Sequence, residues 1–172
     1  MLSQPNPLPV AVLKDFEQRC RAHGMPLTVQ RRAVLAALLT RYDHPTADDI
    51  FAMLKQTLPG IARPTVYRVL DSLVKIGIAK KVCHPGAAAR FETKLERHHH
   101  LVCVRCDKVT DFEHPAFDKL SLPAAAALGF EFKDYSIHFR GVCADCARAE
   151  GRRPSARRSP GRPRKRARKR NP

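Results

Sequence analysis

The stretch ARPTVYRVLDSLVKIGIAKKV, residues 62–82, decides the fold of the N-terminal part of this chain. Pro64 suits the first turn of a helix, where its missing N–H has no partner to lose. Gly77 is typical of a residue that ends a helix. Between them, one apolar stripe recurs at helical spacing, formed by Val66, Leu70, Leu73 and Val74. The stretch therefore predicts an amphipathic helix with a free polar face.

Two short strands are predicted after this helix, over 78–83 and 89–92, with a turn at Pro85-Gly86 between them. Before it, apolar spacing predicts helices over 10–23 and 28–41, the first closed by Gly24 and the second capped by Thr28. A third helix follows Thr46, whose spacing to Asp49 resembles a capping box, and Pro59-Gly60 ends it. Short helices followed by a two-stranded hairpin are the winged-helix pattern, a helix-turn-helix variant.

The second half of the chain has a different pattern. Strands are predicted over 101–104 and 109–112, on either side of a CxxC turn. A helix is predicted over 115–128, ended by Gly129, and a strand over 130–139. This is a small α+β unit.

The net charge of +16 is unevenly placed along the 172 residues. Residues 151–172 carry 11 Lys and Arg, no acid and four prolines, so this tail cannot bury enough apolar surface to order itself. The body, residues 1–150, carries only +5. Such a balance favours a polyanionic partner without distinguishing DNA from RNA or a membrane surface.

No apolar run approaches the roughly 20 residues that cross a bilayer, which excludes a membrane-spanning class. The N-terminus lacks the basic start and apolar core of a signal peptide, so we expect a cytoplasmic protein without membrane partners. In that compartment six cysteines are not first interpreted as disulfides.

Two CxxC pairs provide four thiolates, the ligand set that Zn²⁺ prefers in closed structural sites. They are Cys103 with Cys106 and Cys143 with Cys146. Redox-active or free thiols are the alternative. Asp107 follows the first pair at a position where such a turn often needs a positive φ, which Asp tolerates.

Three consecutive histidines, His98 to His100, form the second metal-binding pattern. On a strand, His98 and His100 project to one face and His99 to the other. With Glu92 and Asp111 nearby they offer a nitrogen and oxygen site suited to Fe(II), Mn(II) or Zn(II). An exposed histidine run is the alternative. His44, taken alone, is a residue at a helix entry.

The polar face of the 64–76 helix carries Thr65, Tyr67 and Arg68. Base-edge donors, a phenol and a cation that pairs with phosphate are what a recognition helix needs. A solvated face on a core helix is the alternative interpretation.

Taken together, these motifs resemble the ferric uptake regulator (Fur) family of metal-dependent bacterial transcription factors. The resemblance covers roughly residues 10–148, in the family's order, through the segments LTVQRRAVLAAL, HPTADDIFAML, ARPTVYRVLDSL, RFET, HHHLVCVRC, DKVTDF and GVCADC. It implies an α+β homodimer that binds an inverted repeat in double-stranded DNA and is not an enzyme. It also implies three segments: a winged-helix domain with hinge over 1–90, an α/β dimerisation and metal domain over 91–148, and a disordered tail over 149–172.

The resemblance implies that structural zinc occupies the four cysteines and that Fe(II) or Mn(II) occupies a regulatory site at the hinge. The regulatory ligands would be His44, Glu92, His98, His100 and Asp111. Tyr67 and Arg68 fall where the family contacts DNA, beside Thr65.

Asp111 stands where the peroxide-sensing branch of the family typically has Asp and iron-sensing members have Glu. On this basis we expect a peroxide-responsive repressor. Glu92 departs from that branch, which typically has Asp at this position. The alternatives are an iron-responsive regulator of iron uptake and an architectural DNA-binding protein.

A further family metal site would use the positions of Arg97, His99, Asp118 and Tyr135. Arg97 and Tyr135 replace expected histidines, so we assign no metal there. Two other cysteines, Cys20 and Cys83, are predicted to be buried apolar residues.

The tail has no counterpart in the resemblance. Ser159 to Arg166, SPGRPRKR, resembles an AT-hook, in which Arg162 and Arg164 would lie in an A·T-rich minor groove. The alternative, which the sequence favours equally, is an arm that binds DNA phosphates without sequence preference.

Overall fold

The structure, a computed structural model, describes residues 8–83, 87–117, 119–120, 128–131 and 135–151. The N-terminal half contains four helices and a hairpin: α1 (Val10–Ala22), α2 (Val29–Leu39), α3 (Ala47–Thr57), α4 (Arg63–Lys75), β1 (Lys80–Val82) and β2 (Arg90–Glu92). The C-terminal half contains β3 (His99–Cys103), β4 (Val109–Phe112), β5 (His138–Gly141) and α5 (Ala144–Ala149). This is the α+β architecture that the sequence predicted.

The helix boundaries follow from local chemistry. Thr28 Oγ1 accepts a hydrogen bond from the Arg31 amide at 3.2 Å, so it caps α2. Thr46 and Asp49 form the predicted capping box, with each side chain bonding the other's backbone amide at 3.1 and 2.8 Å. Gly77 adopts φ +71° and ends α4. These predicted signals are confirmed.

One hydrophobic core joins the first four helices to the hairpin. Leu35 and Leu38 of α2, Leu70 of α4 and Phe91 of β2 are almost completely buried within it. Because the apolar side of α4 packs into this core, its other side faces solvent. Tyr67 is 43% exposed there.

The second half is built on a three-stranded sheet in the order β4-β3-β5. Strands β3 and β4 are antiparallel, and their register places His100 opposite Asp111. Strands β3 and β5 are parallel, and His100 also faces His138. The sheet thus places Asp111, His100 and His138 side by side on adjacent strands.

The loop between α2 and α3 is attached to β2 by backbone contacts. The Phe91 amide donates to the Pro45 carbonyl at 2.9 Å, and Arg90 Nη1 donates to the His44 carbonyl at 2.9 Å. Thr46 also forms an isolated bridge with Arg90. These bonds hold His44 beside the end of β2, where Glu92 lies.

In the second half, two sequence predictions differ from the structure and one helix was missed. The predicted strand over 130–139 is wrong in extent: of its described residues, only His138 and Phe139 pair with β3, and Phe130 is 72% exposed. The predicted 115–128 helix lies mostly outside the described residues, and 115–117 form a turn. Helix α5 was not predicted; it is only six residues long.

The predicted Pro85-Gly86 turn, Asp118 and the basic tail after residue 151 also lie outside the described residues. Among the residues that are described, no helix combines the length and the apolar character needed to cross a membrane.

Candidate metal centres

The four cysteines of the two CxxC pairs lie together. One sulfur from each of Cys103, Cys106, Cys143 and Cys146 falls within 4.8 Å of the others. Two of the residues end β3 or follow it, and the other two lie at the start of α5, so the cluster joins the sheet to the C-terminal helix. All four are free thiols.

The geometry of this cluster fits a tetrahedral zinc ion. Cys106 Sγ lies 3.8 Å from Cys143 Sγ. Zinc–sulfur bonds of about 2.3 Å at the tetrahedral angle would place two sulfurs about 3.8 Å apart. The Cys143 amide donates to Cys103 Sγ at 3.3 Å and lowers the pKa of that thiol to about 6. The backbone therefore favours the thiolate that a metal requires.

The turn after the first CxxC pair has the predicted conformation. Asp107 adopts φ +54°, in the left-handed region that Asp and Asn visit more readily than most residues. Its amide donates to the Cys103 carbonyl at 3.0 Å, which closes the turn and points Cys106 back toward Cys103.

A second group of five side chains converges where the two halves of the chain meet. One donor atom from each lies within 4.8 Å of the others: His44, Glu92, His98, His100 and Asp111. His44 lies in the loop after α2, and Glu92 is the last residue of β2. The other three belong to the second sheet: His98 directly precedes β3, His100 lies in β3 and Asp111 lies in β4. The structure thus brings together all five residues that the resemblance implied.

The oxygen atoms of the two carboxylates face the histidine nitrogens. Glu92 Oε2 lies 2.9 Å from the Nε2 atoms of His44 and His98, and 3.5 Å from that of His100. Asp111 Oδ1 lies 2.8 Å from His44 Nε2, and 3.7 and 3.8 Å from the other two. Four of the five residues are at least nine-tenths buried, whereas Asp111 is 31% exposed.

The protonation of His98 makes this group fit a cation. Its Nδ1 atom lies 2.9 Å from the Glu96 carbonyl, which only accepts, so Nδ1 carries a proton. Without a metal, Nε2 can contact Glu92 Oε2 at 2.9 Å only through a second proton on the ring, because a bare lone pair would repel the carboxylate. A divalent ion can take the place of that proton between the nitrogen and the oxygen, and the Nδ1 hydrogen bond orients the ring for it.

The electrostatics of Glu92 favour the charged carboxylate. Burial alone raises its pKa, but hydrogen bonds from His100 and His44, together with the charge of His98, lower it further than burial raises it. The pKa of Glu92 consequently lies well below its usual range, and the residue is an anionic donor. Asp111 Oδ1 is also buried and, among the described residues, has no hydrogen-bond partner, although it lies 2.8 Å from His44 Nε2.

His44 has an unfavourable backbone conformation. Its φ is +54°, which costs a residue with a Cβ atom about 1 kcal/mol or more. The bonds from Arg90 and Phe91 to the His44–Pro45 carbonyls hold this turn in place. The conformation directs the imidazole toward Glu92 and Asp111, and no sequence pattern indicated it.

His99 points to the other side of β3, as predicted. It is fully buried and stacks on Tyr135 with 6.3 Å between ring centroids, and Arg97 Cζ lies 4.7 Å from the Tyr135 centroid. Arg97 and Tyr135 therefore pack with His99 as a cation and aromatic cluster. Asp118 lies outside the described residues.

The remaining two cysteines differ from each other. Cys20 is buried at 1% exposure, and burial raises its pKa, which confirms the prediction of an apolar role. Cys83 is exposed, so the prediction that it is buried is wrong. It follows β1 directly, beyond Val82, the last buried residue of that strand.

The candidate DNA-contacting residues lie in the first two turns of α4. Tyr67 and Arg68 are exposed, whereas Thr65 is half-buried. Arg162 and Arg164 lie outside the described residues.

Sequence reasoning missed three residues beside the five-residue group. The Glu96 carbonyl orients His98, the His138 ring lies 5.0 Å from that of His100, and Lys94 Nζ lies 3.7 Å from Asp111 Oδ2. Only proximity in sequence could have indicated Lys94 and Glu96. Nothing in the sequence pattern indicated His138, because the parallel β3–β5 pairing places it there.

A comparison with known proteins finds a relative of similar length. The peroxide operon regulator of Bacillus subtilis is 33% identical over 138 residues, which cover 80% of this chain and 95% of the relative.

Two solved structures share the fold. The ferric uptake regulator of Francisella tularensis with iron has a TM-score of 0.62 and 28% identity, covering 72% of this chain and 95% of its own. A zinc uptake regulator complexed with zinc and DNA has a TM-score of 0.59 and 26% identity, covering 82% and 96%. The model of the ferric uptake regulator family matches residues 22–140. The chain belongs to the ferric uptake regulator family.

Proposed function

We propose that this protein is a metal-dependent, dimeric transcriptional repressor that responds to peroxide. The observation that carries the proposal is the convergence of three imidazoles and two carboxylates from both halves of the chain. As a bacterial-type DNA-binding regulator it acts in the cytoplasm. The domain division is proposed as 1–90, 91–148 and 149–172, with β2 continuing through Glu92 across the first boundary.

The two clusters suit different metals. The cysteine cluster is a closed, sulfur-only set and takes structural Zn²⁺. The five-residue group has nitrogen and oxygen donors, which suit Fe(II) or Mn(II). We assign Fe(II) or Mn(II) as its regulatory ion, because the similar Bacillus subtilis protein is a peroxide operon regulator and one similar structure holds iron.

The regulatory site couples metal binding to the position of the recognition helix. His44 and Glu92 are attached to the helical half by backbone bonds and the β1–β2 hairpin, whereas His98, His100 and Asp111 belong to the second sheet. An ion that all five residues hold stabilises the arrangement of the two halves in which they meet. Metal and DNA then strengthen each other's binding reciprocally.

When bound, Fe(II) would supply the ability to reduce peroxide. The net change is the insertion of one oxygen atom into a C–H bond of the His44 or His98 ring. The peroxide O–O bond breaks, one oxygen forms the new C–O bond, and the other leaves with two protons as water. Histidine loses two electrons and peroxide gains two. An oxidised ring is a poorer ligand, so the closed arrangement and the DNA are released.

Dimer formation is supported by the exposed face of the second half. Apolar side chains remain 40–47% exposed there, on or beside β3 and β5: Leu101, Val104, Phe139 and Val142. Within the described part of the chain, strand β5 is also at the edge of its sheet. Exposed apolar side chains beside such an edge favour association with a second copy of this chain. In such a dimer the two α4 helices would contact the two halves of an inverted repeat.

The test uses the full-length protein with its structural zinc. DNA that the Mn(II)-loaded protein retains is selected from a random pool, and its affinity is measured with and without a chelator that removes Mn(II). We expect at least a tenfold loss of affinity on chelation. Binding that ignores the regulatory ion contradicts the proposal.

An iron-responsive regulator of iron uptake is the second candidate, favoured by Glu92 in place of Asp. Fe(II)-loaded protein is treated with less than one equivalent of peroxide, and peptides holding His44 and His98 are examined by mass spectrometry. A gain of one oxygen atom supports the peroxide response. No gain supports the iron-responsive alternative.

A further inference from the structure

The two oxygens of Asp111 have different surroundings. Oδ1 is buried and faces the three histidine nitrogens at 2.8 to 3.8 Å. Oδ2 faces the opposite side, where Lys94 Nζ lies 3.7 Å away. Since the residue as a whole is 31% exposed while Oδ1 is buried, the accessible part of the carboxylate is the side that Lys94 occupies.

Lys94 is itself held in place. Its Nζ donates to Glu113 Oε1 at 2.7 Å, and this ion pair keeps the ammonium group between the Glu113 and Asp111 carboxylates. Glu113 belongs to the chain just beyond β4, two residues after Asp111, and both carboxylates therefore face the same ammonium group.

Resting on the proposed function, we infer that Lys94 is a positioning residue that restricts Asp111 to one metal-binding oxygen. With Glu92 binding through Oε2, the oxygen that faces the three histidines, the five residues then supply five donor atoms. A six-coordinate ion held by five donors keeps one position free for water or peroxide. A cavity of about 290 Å³, lined in part by Tyr42, Lys94 and Asp111, opens on this side and gives solvent access.

Without the Lys94 ammonium, Oδ2 is free to turn toward the ion as a sixth donor. The metal is then bound at least as strongly, but the open position is closed. Lys94 would thus separate two properties of the site: how tightly it holds a metal, and how readily that metal meets a small solute.

The test measures water on the ion directly. Full-length protein is loaded with one equivalent of Mn(II), and the longitudinal relaxation rate of water protons reports water in the inner coordination sphere. We expect K94M to retain Mn(II) and to lose at least half of the relaxation enhancement of the natural protein. K94R, which restores the cation, should recover it. Histidine oxidation by peroxide in the Fe(II)-loaded protein should fall at least fivefold in K94M.

Two controls separate positioning from charge. K81M removes a lysine of similar exposure, paired with Asp71 at 3.3 Å rather than with a metal-site carboxylate, and should leave the relaxation unchanged. The double variant K94M/E113Q removes the cation and its anion together and should behave like K94M.

The inference is overturned if K94M keeps the relaxation enhancement of the natural protein or if K94M no longer binds Mn(II). It is also overturned if K94M/E113Q regains the relaxation enhancement. A natural protein that binds no Mn(II) at this site overturns the proposed function itself, which is a different result.

Discussion

The imidazole of His44 meets the carboxylate of Asp111 at 2.8 Å, between Nε2 and Oδ1. One residue lies in a loop between two helices of the N-terminal half, and the other lies in β4 of the second sheet. Asp111 Oδ1 is buried and, among the described residues, has no hydrogen-bond partner, although His44 Nε2 is so close. The contact is therefore a place where an ion can fasten one half of the chain to the other.

Replacing His44 with Asn removes an imidazole donor and keeps a residue that tolerates the positive φ at this position. We expect the affinity for Mn(II) to fall at least about tenfold, with little change in the thermal unfolding midpoint. Competition with a chelator measures the affinity. His23→Asn, at the exposed end of α1, is the matched control and should bind Mn(II) normally. Equal affinities in the two variants would remove His44 from the site.

Cys143→Ser removes one thiolate from the cluster and keeps the backbone amide that donates to Cys103 Sγ. We expect the zinc content to fall from one ion per chain to none and the second half to lose cooperative unfolding, because a structural zinc contributes on the order of 10 kcal/mol. Metal analysis and calorimetry measure the two effects. Cys83→Ser changes an exposed thiol outside the cluster and should keep both properties. Zinc retained at full occupancy in Cys143→Ser would contradict a four-cysteine site.

Arg68→Ala removes an exposed cation from the polar side of α4. If Arg68 pairs with a DNA phosphate, the slope of log affinity against log salt should decrease in magnitude by about 0.9. Affinity measured at four salt concentrations gives this slope. Arg21→Ala removes an equally exposed cation from α1 and should leave the slope unchanged. The same decrease in both variants would indicate general electrostatics rather than a contact.

Truncation after Gly151 removes 11 cations and no anion. We expect weaker binding and a shallower salt dependence, but an unchanged preference for the selected operator over random DNA, because the body carries the recognition helix. A protein that loses nearly all binding on truncation would instead be architectural.

The double variant Arg162→Gln/Arg164→Gln tests the AT-hook interpretation within the full-length chain. Loss of any preference for A·T-rich flanking DNA, with little change at G·C-rich flanks, is the expected result for minor-groove contacts. An equal loss at both kinds of flank indicates a general phosphate-binding arm.

Much of the fold could be predicted because its signals are local. The caps at Thr28 and Thr46, the stop at Gly77 and the apolar stripe of α4 each depend on residues within one or two turns. The start of β5 was predicted too early, because alternation near Phe130 is a local signal, whereas pairing with β3 begins at His138 among the described residues. Cys83 was misjudged for a related reason: its residue type is typical of the core, whereas its exposure depends on where β1 ends.

By itself, the sequence determined which chemistry is available: four cysteines in two pairs, histidines on alternating faces of a strand, and carboxylates nearby. Their spacing is enough for this, because ligand type and strand period are properties of the residues. Only the tertiary structure decided which atoms meet. Three features depend on contacts between segments far apart in the chain: the positive φ of His44, the pairing of His100 with Asp111, and the placement of the two Asp111 oxygens toward the histidines and toward Lys94. Tertiary packing rather than local conformational preference determines these contacts.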